Sequence, residues 1–141
     1  MKTGKTLLSI GAIVVAVLSA SLLLQDCSSR NTLSGAAKEN RDAIITDLST
    51  LAADAYQYKI RPESMGGGKG SYYGYFIAMD SPWGPKNPNA IFTLTTQTAT
   101  QMIMTATSKN IPGATVVLTI DSMGRFVADP VSSGFDQPPS K

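Results

Sequence analysis

The sequence predicts an α+β protein. A long N-terminal helix, apolar in its first half and amphipathic in its second, is expected to pack on a small antiparallel meander of 4–5 strands. Three observations predict this. Leu7 through Gln25 carries no charge. From Ala36 onward apolar residues recur with a helical period. Beyond Gly70 that period gives way to alternation, which is the signature of strands.

Residues 7–24, LLSIGAIVVAVLSASLLL, would span about 27 Å as a helix, close to the roughly 30 Å of a hydrocarbon core. Gly11 and the serines are interruptions that membrane helices tolerate. Lys2 and Lys5 precede the stretch and only Asp26 follows closely, which places the N-terminus in the cytoplasm and the remainder across the membrane. A cleavable signal would need a small-x-small site. Ser19-Ala20-Ser21 offers one, but Leu22, Leu23 and Leu24 prolong the apolar run past it. A lipoprotein signal would need a small residue before Cys27, where Gln25-Asp26 stands. The favoured reading is an uncleaved helix, apolar on nearly every side. Lipid can surround such a helix, and so can its own copies.

Cys27 to Gly35 is polar and rich in small residues, so it reads as a linker or a helix break. The second helix is expected over residues 36–60, because Ile44, Leu48, Leu51, Ala52, Ala55 and Tyr56 share one face. Arg61-Pro62 ends it, since proline disfavours helical geometry in the residue before it. Gly66–Gly70 is then a flexible loop, and Asp80–Asn89 another, with three prolines and a glycine. Strands are expected over 71–79, 90–96, 101–107, 114–120 and 125–128, with Gly74 marking a bulge in the first. The organisation is therefore an apolar helix over 1–29, a linker over 30–35, a head over 36–134 and a loose tail over 135–141.

Composition narrows the function. The chain has 141 residues, enough for one ordinary domain. It has no histidine and one cysteine. His-based triads, His metal sites, intrachain disulfides and multi-cysteine zinc clusters are therefore excluded. Charged residues are 16% of the chain, against about 25% in typical globular proteins. The net charge of +2 gives no argument for nucleic acid, and none is expected as a partner. The carboxylates are scattered, with no pair spaced for acid–base work. No catalytic residue, cofactor or metal ligand is therefore assigned, and the chain is not expected to be an enzyme.

Four features invite sharper readings. Gly66–Gly70, GGGKG, is reminiscent of a phosphate loop, yet Lys69 is followed by Gly70 rather than Ser or Thr, and no strand precedes it. All five tyrosines fall between Tyr56 and Tyr75, close to Lys59, Arg61 and Lys69. They could form a stacking platform for single-stranded nucleic acid or sugars, or serve the core and subunit contacts. Trp83, between prolines, is an interface anchor or a loop residue tucked onto the head. The threonines of 93–107 suit strands and could carry O-linked sugars.

Three motifs in this order carry a family resemblance. They are Gly4-Lys-Thr-Leu-Leu-Ser-Ile10 leading into the apolar helix, Leu51-Ala-Ala-Asp-Ala-Tyr-Gln-Tyr-Lys59 closing the second helix, and Asp80-Ser-Pro-Trp-Gly84. Together the chain resembles the type IV pilins and the pseudopilins of type II secretion. The resemblance implies a structural subunit whose apolar helix bundles with its copies into a helical, extracellular filament on the bacterial cell surface. Before assembly the chain would sit in the inner membrane, N-terminus in, and extraction would need a pilus or secretion assembly machinery. Self-assembly would then fall to Leu7, Leu8, Ile10, Gly11, Ile13, Val14, Val17, Leu18 and Leu22, and processing to Gly4. The family's glutamate, five residues past the cleavage glycine, is replaced by Ser9, or by Lys5 if counting starts at Met1. The alternative is a monomeric, single-pass anchored binding domain outside the membrane.

Overall fold

The computed structural model describes residues 33–136. The apolar segment, with Gly4 and every residue expected to drive self-assembly (Leu7, Leu8, Ile10, Gly11, Ile13, Val14, Val17, Leu18 and Leu22), lies outside the described residues, as does the chain from 137. Among the described residues no helix is long and apolar enough to cross a membrane.

Helix α1 runs from Gly35 to Ile60. Its Ser34 side chain accepts the Ala37 N–H at 3.3 Å, satisfying one of the orphan donors of the first turn. At the other end Pro62 holds Arg61 in extended backbone, ψ 138°, and the helix stops there. Ile44, Leu48, Leu51 and Ala55 are fully buried, and Ala52 is nearly so. The hydroxyls of Thr46, Ser49 and Thr50 donate back to carbonyls four residues earlier, away from the core. Helix α1 takes in Gly35, which was expected in the linker, with Ser34 as its cap and Leu33 packed against the core.

Four antiparallel strands follow in the order β1 (Ala90–Gln97), β2 (Met102–Ser108), β3 (Thr115–Ile120) and β4 (Val131–Ser133). Helix α1 lies on β2 and β3. Met102, Met104, Ala106, Val116, Leu118 and Ile120 are fully buried in the core, while their neighbours carry the Thr-rich outer face. A bulge at Thr95 breaks the β1–β2 register. The α+β class and the meander match the expectation, with the first three sheet strands within one residue of their expected bounds.

The four strands among the described residues fall within the expected 4–5, but two of the expected strands are absent. Residues 71–79 form no strand, because Tyr75 N–H donates to Tyr72 O and closes a tight turn with Gly74 at φ 82°. Burial there follows a step of three, Tyr72 and Tyr75 inside, in place of alternation. Gly74 thus marks a turn and not a bulge. Residues 125–128 make only an isolated bridge, Ile120 to Phe126. The Asp121 carboxylate accepts the N–H groups of Met123 and Arg125, which curls the chain tightly out of β3. The fourth strand forms later, past Pro130, where Val131–Ser133 pair with Thr115–Val117. The tail also begins later than expected, since Phe135 is only 4% exposed and belongs to the core.

Gly66–Gly70 is not loose. The N–H groups of Gly68, Lys69 and Gly70 donate to the carbonyls of Tyr58, Arg61 and Lys59, closing the C-terminal end of α1. A Cβ on Gly68 would overlap the Ser71 carbonyl and lie 2.7 Å from Tyr58 Cε1. Gly68→Ala is therefore expected to cost about 1–3 kcal/mol in urea unfolding, the usual scale of overpacking. Gly35→Ala, where a Cβ meets nothing within 4 Å, should not destabilise the head.

Candidate functional site

Several polar side chains of the described head hold its loops. Asn87 is the pin of the 80–89 loop. Its Nδ2 donates to Asp47 Oδ2 at 3.1 Å and Pro82 O at 2.9 Å, and its Oδ1 accepts the Asn89 and Ala90 N–H groups. Lys109 Nζ donates to the carbonyls of Pro85 (2.8 Å) and Asn87 (2.7 Å). With the loop pinned on both sides, Trp83 packs against the core. Of its two readings, the tucked one describes its position.

The tyrosines divide. Tyr72 and Tyr75 are buried, Tyr73 is 62% exposed, and Tyr58 packs on the core with its ring 5.5 Å from that of Tyr75. They do not form one platform. Tyr72 Oη donates to Asp121 O, and Tyr75 Oη donates to Asp54 Oδ2 at 2.8 Å. Burial, followed by the Asp121 charge, pushes Tyr72 up to about 12. Burial and then the Asp54 hydrogen bond raise Tyr75. Hydrogen bonding, first from the Arg125 N–H, holds Asp121 below the ordinary carboxylate range.

These shifts set the pH dependence. A tyrosine whose pKa is raised on folding contributes stability that is whole below its ordinary value of about 10 and is lost as pH rises toward 12. Asp121 works in the opposite direction, its contribution being lost as pH falls through its lowered pKa. Melting temperature is therefore expected to fall above pH of about 10, and Tyr72→Phe, which cannot ionise, should flatten that fall.

Lys59 is 7% exposed and forms no ion pair with a carboxylate among the described residues. Its ammonium donates to Ser122 O and lies 5.2 Å from the Tyr72 ring centroid. Asn40, 6% exposed, accepts from Ser108 Oγ at 2.7 Å, while its own Nδ2 has no partner among the described residues. Sequence reasoning missed both. The signal was present: Asn40 lies four residues before Ile44, and Lys59 four after Ala55, on the same buried stripe.

Each N–H from Gly66 through Ser71 donates to a backbone carbonyl, so the GGGKG segment presents none toward a phosphate. No cluster of three or more His, Cys, Asp or Glu side chains suited to a metal occurs among the described residues. What the head does present is apolar and hydroxyl-bearing. Met65, Tyr73, Phe76 and Met79 project from the loops, and Ile91, Val127 and Val131 flank the threonines of the sheet. The 24 residues of the four strands include no charge at all. Compared with protein-family models, with curated proteins and with solved structures, the chain has no match.

Proposed function

We propose that this chain is a non-catalytic structural subunit that assembles, through its apolar N-terminal segment, into a type IV pilus-like filament outside the cell. The observation that carries the reading is the charge-free run from Leu7 to Gln25, placed ahead of an α+β head. An 18-residue run that is apolar on nearly every side needs apolar surroundings along its whole length. Identical neighbours supply them outside a membrane, and lipid supplies them before assembly. Burial from water favours the first arrangement at about 25 cal/mol per Å². Leaving lipid instead depends on close packing, for which Gly11, Ala12, Ala16, Ser19 and Ala20 supply small surfaces.

In this reading the contact between subunits is heterologous: two unlike surfaces meet repeatedly and the assembly stays open-ended. The partners are further copies of the chain, the inner membrane that holds it N-terminus in, and an assembly machinery that extracts it. The outline of the head, a helix laid on an antiparallel meander, supports the resemblance to pilins and pseudopilins without requiring it. Sedimentation of material sheared from the cell surface tests the proposal. The chain is expected in the high-speed pellet as polymer, and its retention as monomer in the membrane fraction would count against assembly.

One observation favours a second reading. Ser9, or Lys5, stands where the family's buried glutamate would pair with a neighbour's N-terminal amine. A chain without that charge registers its subunits differently or remains a single-pass anchored domain that binds a partner through its head.

A further inference from the structure

Strand β1 is at the edge of the sheet, paired only with β2. The direction of its backbone groups follows from its register. Lys109 N–H donates to Asn89 O at 2.9 Å, so these two residues form a hydrogen-bonded pair that continues the β1–β2 ladder. Antiparallel pairs alternate between bonded and non-bonded. Ile91 and Thr93 therefore bond to Thr107 and Thr105, while Phe92 and Leu94 turn their N–H and C=O groups away from β2. The outward N–H of Ala90 is already taken by Asn87 Oδ1. Among the described residues no backbone bond reaches Phe92 or Leu94 from the open side.

Natural edge strands are usually blunted by charge, by proline or by shortness. Strand β1 is eight residues long, AIFTLTTQ, with no charge and no proline, and its one bulge lies beyond Leu94. We propose that this edge is a second self-association surface, at which the β1 strands of two chains pair antiparallel about a two-fold axis beside Thr93.

The self-complementarity is geometric. Two outward-facing residues, Phe92 and Leu94, flank one that faces inward, Thr93. With the axis at Thr93, Phe92 of each chain bonds to Leu94 of the other, which closes the open groups of both residues. Thr93 then meets its own copy as a non-hydrogen-bonded pair, at a Cα separation of about 4.5 Å. No charge on either strand opposes the approach.

The strand contact alone is smaller than the roughly 800 Å² per partner of a stable complex. It is therefore a contact for chains already concentrated by their apolar segments. It does not rest on the filament reading, because a two-fold contact joins like surfaces and the filament contact joins unlike ones.

Disulfide trapping in the full chain tests it, in membranes of the expressing cells and with Cys27→Ser removing the native thiol. Thr93→Cys is expected to give a disulfide-linked dimer on mild oxidation. Ile91→Cys is the control, being exposed on the same strand and face. Its Cα would lie about 14 Å from its mate, beyond the roughly 7 Å a disulfide can bridge, so Thr93→Cys should yield at least about tenfold more dimer. Equal yields from the two positions would mean random collision and overturn the proposal, as would no dimer from either. A Thr93→Cys product of any other mass would show a different occupant and overturn it as well. Circular dichroism of both variants confirms that the head is folded in each arm.

Discussion

Replacing Val14 or Val17 with aspartate is expected to abolish polymer while leaving the head folded. Both residues sit in the middle of the charge-free run, at least seven residues from Leu7 and from Leu24. A carboxylate there must be buried among apolar neighbours whichever side of the helix it occupies, because the run is apolar nearly all round. In a filament core the unpaired charge costs several kcal/mol per subunit, repeated at every contact along the polymer. In the membrane the same charge costs about 2.5–3.5 kcal/mol at the helix centre on insertion scales, which many spans survive. The expected result is thus a chain that still reaches the membrane fraction but no longer appears in the sheared pellet. Circular dichroism of the purified variant should retain the signature of α1 and the sheet.

The second large effect lies in the head. Leu48→Ala is expected to destabilise it by about 2–5 kcal/mol, the range for buried leucine truncations. Leu48 is wholly buried on α1, in the same core cluster as Met104, Val116 and Leu118. The sheet lies against α1 and the 71–89 segment is pinned by Asn87 and Lys109, so little can move into the space. Ile60→Ala is the matched control, at the end of the same helix but 52% exposed, and should fall within about 0.5 kcal/mol. Urea unfolding of the two variants measures the difference. The pair also separates the two halves of the account: Leu48→Ala acts on the head, and Val14→Asp on assembly.

The sequence was most informative where one periodicity ran uninterrupted. The stripe Ile44, Leu48, Leu51, Ala52, Ala55 predicted α1 to within a residue, and Pro62 predicted its end. Strands β1 to β3 alternated clearly enough to place their inner and outer faces. Reading failed where side chains, rather than period, direct the chain. The aromatic run at 71–79 has strand-like composition, but a glycine at positive φ and the Tyr58 Oη bond to Tyr73 O fold it into turns. Asp121 likewise consumes the N–H groups that an immediate return strand would have needed. The three residues of β4 are too few to show any alternation.

The candidate site was legible in part. GGGKG looked like a loop free to move, whereas its N–H groups close the last turn of α1. That role depends on where the preceding helix ends in space, which spacing alone does not encode. Asn40 and Lys59 are buried on the same helical stripe, which a reading of apolar recurrence alone does not include. The open edge of β1 emerged only from the observed register, since composition does not say which strand is last in a sheet.

Electron microscopy of sheared cell-surface material, with an antibody against the head, tests the central claim most directly. The account predicts filaments decorated along their length, present with the native chain and missing with Val14→Asp. Native chain recovered solely as dispersed monomer in the membrane, with no decorated filament, would contradict it.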